Sequence, residues 1–442
     1  MILSKFLHSF PFNDSVLLYH SVLLKKIILS SEEWNLILSS ISSKNDPDVE
    51  LINELKSMGF LLYKPEDDVL LLNKIRKKIR THQNINTIFL VMTSDCNLNC
   101  RYCYQGDHPD PATMSIETAK KYLTLFANVT RTSTIERNIY IYGGEPLLEV
   151  PLLRNILKVI SDLVQDNKLI SPYNLILQTN GTIMNNEILR LLKEHNVSVG
   201  ISLDGMKQHH DKMRCYTNGH GTFNSVMKTI TLLKKDNIDV AISCTVGPHN
   251  YNDLVSIVDF FIHDLSIKEF GFNLLMPQRN KQHEIVKKIS PIDITKNLIT
   301  AYKSARNFGI NDSRISKQVY SFINEAIYIN ECDGSGSQII VTPSGKMSPC
   351  LGFSCSEDMC VECRNDLDID QYPIFVDWFN SNAFSMPECE SCLGIGICGG
   401  GCTYNRYIQN KGDINLPDKS YCEYINTVIE WMINELIQVN RI

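Results

Sequence analysis

Thr87-Ile88-Phe89-Leu90-Val91-Met92-Thr93-Ser94-Asp95-Cys96-Asn97-Leu98-Asn99-Cys100-Arg101-Tyr102-Cys103-Tyr104 carries a strand-like apolar run that ends in a loop of three cysteines. The loop spacing is C-x3-C-x2-C. Three thiolates on one short loop can ligate three irons of a cubane cluster, because iron–sulfur clusters are held by cysteine thiolates. A fourth iron is then left without a protein ligand, and an open position is what separates a catalytic metal site from a structural one. A zinc site would need a fourth donor, and the nearest imidazole, His108, stands at a spacing that suits no common zinc finger.

Working outward, strand-like and helix-like segments alternate. Strands are expected over Thr87–Met92, Ile139–Tyr142, Leu175–Thr179, Ser198–Leu203, Asp239–Thr245 and Glu269–Leu275. Helices are expected over Ile116–Phe126, Leu152–Val164, Glu187–His195, Phe223–Lys235, Leu254–His263 and Ile294–Asn307. Such alternation calls for a parallel sheet with helical crossovers, and six units fit better than eight. The fold class is therefore α/β, a partial (β/α)6 TIM-like barrel over residues 87–317. Chemistry in such sheets gathers at the carboxyl ends of the strands, where the cysteine loop falls.

The chain has 442 residues, 43% of them apolar and 21% charged, as in an ordinary globular protein and unlike a disordered one. Its formal charge of −6 offers no large positive field for nucleic acid or an anionic membrane. No apolar run approaches a membrane span, and MILSKFLHSF is too short and interrupted for a signal peptide, so a cytoplasmic protein is expected. In that compartment the 15 cysteines are not a disulfide framework. Cys215 and Cys244 stand alone and read as small core hydrophobes. Ten others lie between Cys332 and Cys422, in a region dense in Cys, Gly and Pro that needs metal staples to hold a shape.

Residues 1–70 read as a small mixed module. A short apolar stretch, Ser15–Tyr19, and a strand-like Ser21–Leu29 precede a helix starting at Ser30-Ser31-Glu32-Glu33. A second helix over Asp48–Met58 stops at Gly59, Phe60–Tyr63 restarts a strand, and Pro65-Glu66-Asp67-Asp68 marks a turn. Residues 71–86 form a connector, basic and helical over Lys74–His82, and residues 318–442 form the cysteine-rich domain, ending in a helix over Glu423–Ile437.

The cysteine loop resembles the signature of the radical S-adenosylmethionine (radical SAM) superfamily. Further matches end the later strands: Tyr142-Gly143-Gly144-Glu145-Pro146, Gln178-Thr179-Asn180-Gly181-Thr182, Ile201-Ser202-Leu203-Asp204-Gly205 and His210-Asp211-Lys212-Met213-Arg214. The resemblance implies that Cys96, Cys100 and Cys103 hold the SAM-binding 4Fe–4S cluster and are the catalytic set. It implies that Gly143, Gly144, Glu145 and Pro146 receive the SAM ammonium, that Asn180 belongs to the cofactor site, and that Ser202 lies against the ribose and carboxylate. Arg214 would pair with the carboxylate, a role that its planar fork suits. Tyr102 would pack beside the cofactor.

The second cysteine region resembles the SPASM extension of peptide-modifying radical SAM enzymes, which carries two auxiliary 4Fe–4S clusters. By position, Cys332, Cys350 and Cys402 would hold the first, and Cys389, Cys392, Cys398 and Cys422 the second. Ala326–Glu331 contains no cysteine to complete the first cluster. Its fourth ligand is missing or comes from Cys355, Cys360 or Cys363, which otherwise form a separate zinc or structural site. Sulfatase-maturing relatives have an acidic residue after the cysteine at 350, where this chain has Leu351.

Residues 1–70 resemble the winged-helix-like peptide-recognition module of maturases of ribosomally made peptides, in which a leader adds as a strand to a sheet edge. The resemblance implies a radical SAM/SPASM oxidoreductase that uses a 5′-deoxyadenosyl radical to close a thioether or carbon–carbon crosslink in a precursor peptide. A one-electron donor such as flavodoxin or ferredoxin would serve it. Alternatives are a peptide epimerase, a sulfatase maturase, or a non-enzymatic redox-sensing or binding protein stapled by iron–sulfur or zinc.

Overall fold

The computed structural model describes residues 1–43, 49–79, 85–105, 111–277, 289–310, 312–332, 334, 336–356, 358–364 and 366–439. His108 and the end of the 74–82 connector lie outside them. The chain packs as two compact units. One joins Met1–His82 to Ile315–Cys332 and Asn380–Ile442, and the other joins Gln83–Arg314 to Asp333–Phe379. The cysteine-rich region is thus divided between them.

The first unit opens with β1 (Ile2–Leu3), β2 (Leu7–Phe12), β3 (Ser15–His20) and β4 (Lys26–Ser30). Strands β2, β3 and β4 form an antiparallel meander, with the buried Val16–His20 run of β3 at its centre. Strand β2 escaped the sequence reading: Leu7-His8-Ser9-Phe10-Pro11-Phe12 mixes polar residues with a proline, which only an edge strand tolerates. Helix α1 (Ser31–Ser43) begins where expected, on a reciprocal cap. Ser30 Oγ accepts from Glu33 N at 3.1 Å, and Glu33 Oε2 accepts from Ser30 N at 2.8 Å. Helix α2 (Val49–Ser57) is followed by Gly59, whose φ of +81° only glycine adopts without strain. Strand β5 (Leu61–Leu62) pairs with β1.

The expected turn at Pro65–Asp68 is instead the start of α3 (Glu66–Ile79), where three acids in the first turn favour the helix N-terminus. Val16, Leu18, Leu29, Trp34, Ile37, Ile52, Leu55, Phe60 and Leu61 give this module its own apolar core.

The second unit begins with β6 (Thr87–Val91), α4 (Ile116–Val129), β7 (Arg137–Tyr142), α5 (Val150–Gln165), β8 (Tyr173–Thr179), α6 (Asn186–Glu194) and β9 (Val197–Ser202). It continues through α7 (Lys207–Met213), α8 (Phe223–Lys235), β10 (Val240–Val246), α9 (Leu254–Asp259, prolonged by one π turn), β11 (Glu269–Leu274) and α10 (Pro291–Asn307). The six strands β6–β11 are parallel and adjacent in chain order, the arrangement of a partial (β/α)6 barrel. Apolar stripes seat the crossovers: α5 buries Leu152, Leu153, Ile156, Leu157, Ile160 and Leu163, the 3.6-residue period of one face.

Helix α11 (Ile315–Asn324) returns to the first unit. The chain then adds β12 (Gln338–Val341), β13 (Lys346–Ser348), β14 (Val361–Glu362) and α12 (Pro373–Asn380). Strand β12 pairs parallel to β6, and β13 and β14 follow antiparallel, completing a nine-stranded sheet. A region read as loop therefore supplies three strands. Helices α13 (Thr403–Gln409) and α14 (Lys419–Val439) end the first unit. Among the described residues no helix is long and apolar enough to cross a membrane.

Candidate active site

The cysteine loop leaves the carboxyl end of β6 and is held from two sides. On one, Gly144 N donates to Thr93 O and Glu145 N to Asp95 O, each at 2.8 Å. A Cβ on Gly143 would lie 2.7 Å from Thr93 O, and one on Gly144 2.3 Å from Asp95 O, so only glycines let the β7 end approach the loop this closely. On the other side, Asn99 N donates to Cys215 O at 2.8 Å and Arg101 N to Met213 O at 2.9 Å. The segment after α7 that carries Arg214 is thereby fastened to the loop.

The thiols of Cys96, Cys100 and Cys103 lie within electrostatic reach of one another. Burial pushes the Cys96 thiol up to about 11 and the Cys100 thiol to about 12, with Arg214 opposing the rise at Cys100. Buried thiols that resist ionisation become good ligands when a metal takes the proton's place.

Glu145 is 0% exposed and accepts from Thr179 Oγ1 (2.7 Å), Asn180 N (2.7 Å) and Leu147 N (3.0 Å). Burial raises its carboxyl to about 7 against those three bonds. The carboxylate thus ties the end of β7 to the end of β8. Asn180 in turn donates Nδ2 to Asn97 Oδ1 at 2.9 Å and lies 3.9 Å from Cys96 Sγ. Pro146 is buried at the start of a short turn, and Ser202 is half-buried at the end of β9.

A buried polar hub lies under the loop. Asp204, 0% exposed, accepts from Tyr102 OH, from Arg214 Nε at 3.1 Å and from Thr245 N at 3.0 Å, and His249 Nε2 stands 3.5 Å away. Burial alone would raise its carboxyl, but the Arg214 guanidinium and His249 hold it well below the usual carboxylate range. Arg214 also covers the Tyr102 ring, 5.2 Å from its centroid. Asp204 and His249 were absent from the sequence-derived site. The signal available for Asp204 was an acid between Leu203 and Gly205 at a strand end; His249 offered none.

Tyr104 OH and Tyr142 OH are 2.9 Å apart, and both phenols feel Cys103. Tyr104 also feels Cys350, and Cys355 lies within reach of Cys103. Cys355 also lies within electrostatic reach of Cys360. Cys360 donates to Ser356 O at 3.3 Å and Cys363 to Asp366 O at 3.4 Å, with Tyr122 and Tyr372 beside Cys363. Cys215 and Cys244 are buried, and none of the 15 cysteines is in a disulfide.

Residues 90–261 match the radical SAM superfamily. The chain is a radical SAM enzyme. It is 24% identical to the radical SAM cyclopropyl synthase TigE of Paramaledivibacter caminithermalis, over 98% of this chain and 96% of that protein. It is also 24% identical to a cysteine-type anaerobic sulfatase-maturating enzyme of Clostridium perfringens, over 78% and 96%. Among solved structures, the fold is shared with the sulfatase-maturating enzyme anSMEcpe with bound AdoMet (TM-score 0.68, 21% identity, 80% of this chain and 100% of that one). It is shared also with Streptococcus suis SuiB bound to its precursor peptide SuiA (TM-score 0.59, 15%, 95% and 99%). The cofactors of this radical SAM enzyme are S-adenosylmethionine and 4Fe–4S clusters.

The enzyme's own thiols fit those clusters. In the first unit every pairing among Cys389, Cys392, Cys398 and Cys422 is within electrostatic reach. Burial raises Cys389 to about 12, Cys422 to about 11, and Cys398 well above its ordinary value. Among the described residues no three His, Cys, Asp or Glu converge as ligands of a single metal ion. A cubane places its thiolates on separate irons and so accepts a wider set. Cys332 and Cys402 lie in the first unit and Cys350 in the second.

Proposed function

We propose that this enzyme is a peptide maturase that closes an intramolecular crosslink in a ribosomally made precursor. The observation that carries the reading is the loop of Cys96, Cys100 and Cys103, three thiols gathered at a strand end and held by Gly143–Glu145 and the 213–215 backbone. When bound, SAM and the reduced cluster supply a 5′-deoxyadenosyl radical that can take hydrogen from an unactivated carbon.

The protein's part is to place and protect. Arg214, oriented through Nε by Asp204, turns the rest of its fork to the SAM carboxylate. The SAM ammonium falls to Gly143–Pro146, and Glu145, whose carboxylate accepts from three donors, holds Asn180 beside Cys96. Ser202 meets the ribose, and Tyr102 packs beside the cofactor. Cys389, Cys392, Cys398 and Cys422 hold one auxiliary cluster, and Cys332 and Cys402 serve another. A flavodoxin or ferredoxin supplies electrons.

One feature of the fold supports a peptide substrate, and one relative bears on the bond formed. The meander β2-β3-β4 ends in the half-exposed strand β2, an edge to which a leader can add as a further strand. The relative TigE is matched over 96% of its length and is named a cyclopropyl synthase, which favours carbon–carbon closure over a thioether. Leu351, in place of an acid, weighs against sulfatase maturation.

The test is anaerobic incubation of reconstituted enzyme with SAM, a reductant and the precursor. We expect 5′-deoxyadenosine and a peptide lighter by two hydrogens. Deoxyadenosine with unchanged peptide mass would overturn crosslinking and favour epimerisation instead. Intact clusters without SAM cleavage would leave a redox-sensing or binding protein.

A further inference from the structure

Arg406 sits on α13, four residues after Cys402, and its side chain is 0% exposed. Its fork is fixed by neutral acceptors. Nη1 donates to Ser381 Oγ at 2.7 Å, to Met386 Sδ at 3.3 Å and to Ile414 O, and Nη2 donates to Ser381 O at 2.7 Å and Thr403 Oγ1 at 2.8 Å. Nε, fully buried, has no hydrogen-bond partner among the described residues. Among the same residues no carboxylate forms an ion pair with it. A guanidinium stays protonated inside proteins, and a buried charge without a counter-charge is strongly penalised. This cation therefore calls for a negative partner that the carboxylates do not provide.

The groups that provide it are thiols. Cys402, Cys398, Cys389 and Cys332 all lie within electrostatic reach of the guanidinium, two from each auxiliary cysteine set. The nearby acids are engaged elsewhere. Glu331 pairs with Lys317 at 2.7 Å, and Asp418 accepts from Ser420 N at 3.0 Å and Asn405 Nδ2 at 3.4 Å. Glu388 lies within electrostatic reach of Cys389 and forms no ion pair with Arg406 among the described residues. A thiolate-bound cubane is anionic and gains one more negative charge on reduction, so a fixed cation in a dry site favours the reduced form.

We propose that Arg406 is the buried counter-charge shared by the two auxiliary cysteine sets, and that it raises the reduction potential of the clusters they hold. The proposal rests on the reading of those cysteines as cluster ligands. It makes Arg406 a positioning and tuning residue that touches no substrate.

The test uses the full-length protein with Cys96, Cys100 and Cys103 changed to Ala, so that only auxiliary iron remains, reconstituted and titrated with dithionite under EPR. Arg406→Gln should make reduction of both clusters harder by at least tenfold in equilibrium constant, about 59 mV for a one-electron couple. Arg406→Lys, which keeps the charge and loses the fork, should move less than half as far. Full iron with unshifted titration in Arg406→Gln overturns the proposal, as does an equal shift in Arg406→Lys. Should Arg406→Gln lose its iron, Arg406→Lys decides: retained iron at near-parent potential supports the charge role, and lost iron in a folded chain makes Arg406 a structural staple. A parent without auxiliary iron or sulfide would overturn the cluster reading itself, and this proposal with it.

Discussion

Replacing Asp204 with Asn tests the buried hub under the cysteine loop. The side chain keeps its volume and can still accept from Thr245 N, 3.0 Å from Oδ1 in the parent. It loses the charge that faces Arg214 Nε at 3.1 Å, and its amide would set a donor against that donor or against Tyr102 OH. Arg214 is only 8% exposed, so the guanidinium would be left buried without its counter-ion. Breaking one side of such a pair costs about 3–5 kcal/mol. For a unit of this size that corresponds to a fall in Tm of about 6–10 °C.

Differential scanning calorimetry of anaerobically purified protein measures the fall. Asp253→Asn is the reference: Asp253 meets His209 Nε2 at 3.1 Å but its side chain is 55% exposed, and exposed pairs contribute about 1 kcal/mol or less. An Asp204→Asn transition within about 1 °C of the parent would mean that Arg214 does not depend on this carboxylate, and the account of the hub would be wrong.

Cys100→Ala should abolish SAM cleavage while auxiliary iron and sulfide remain, as measured by deoxyadenosine release and iron analysis; undiminished turnover would remove the loop from the active site. His20 is buried, with Nδ1 accepting from Leu23 N at 3.1 Å, and burial lowers its imidazole to about 4 from the ordinary 6.5. The unfolded chain therefore binds this proton more readily than the folded one. The stability that neutral His20 contributes to the N-terminal module is fully present above pH 6.5 and is lost as the pH falls towards 4, by at most about 1.4 kcal/mol per pH unit. Hydrogen exchange of the β3 amides between pH 7.5 and 5.5, corrected for intrinsic rates, should show this loss, and His20→Gln should flatten it.

The legible part of the molecule was the part whose signals are local. The strands of the barrel and the amphipathic crossovers follow from their own periodicity, and the helix at Ser31 follows from the Ser30–Glu33 cap. The cysteine loop was legible because three thiols close in sequence are close in space. Strand β2 was hidden by Pro11 and its polar neighbours, and β12–β14 by a surrounding sequence rich in turn formers, since pairing with β6 supplies what propensity does not. Glu145 was noticed as part of a motif, but its bonds to Thr179 and Asn180 come from the next strand. Asp204 takes Tyr102 and Thr245 from other strand ends, and Arg406 takes Ser381 and Met386 from the loop before α13, spacings that no local rule reaches.

Strand β6, which launches the cysteine loop, is flanked by β7 on one side and by β12 on the other. Its second neighbour is made some 250 residues later, at Gln338–Val341. During synthesis the ribosome therefore releases almost the entire barrel while this strand still offers a row of unpaired amides and carbonyls, an invitation to foreign strands. The nascent chain is most vulnerable to aggregation until its last quarter emerges. Truncations ending before residue 338 should accumulate as inclusion bodies rather than as a small soluble barrel.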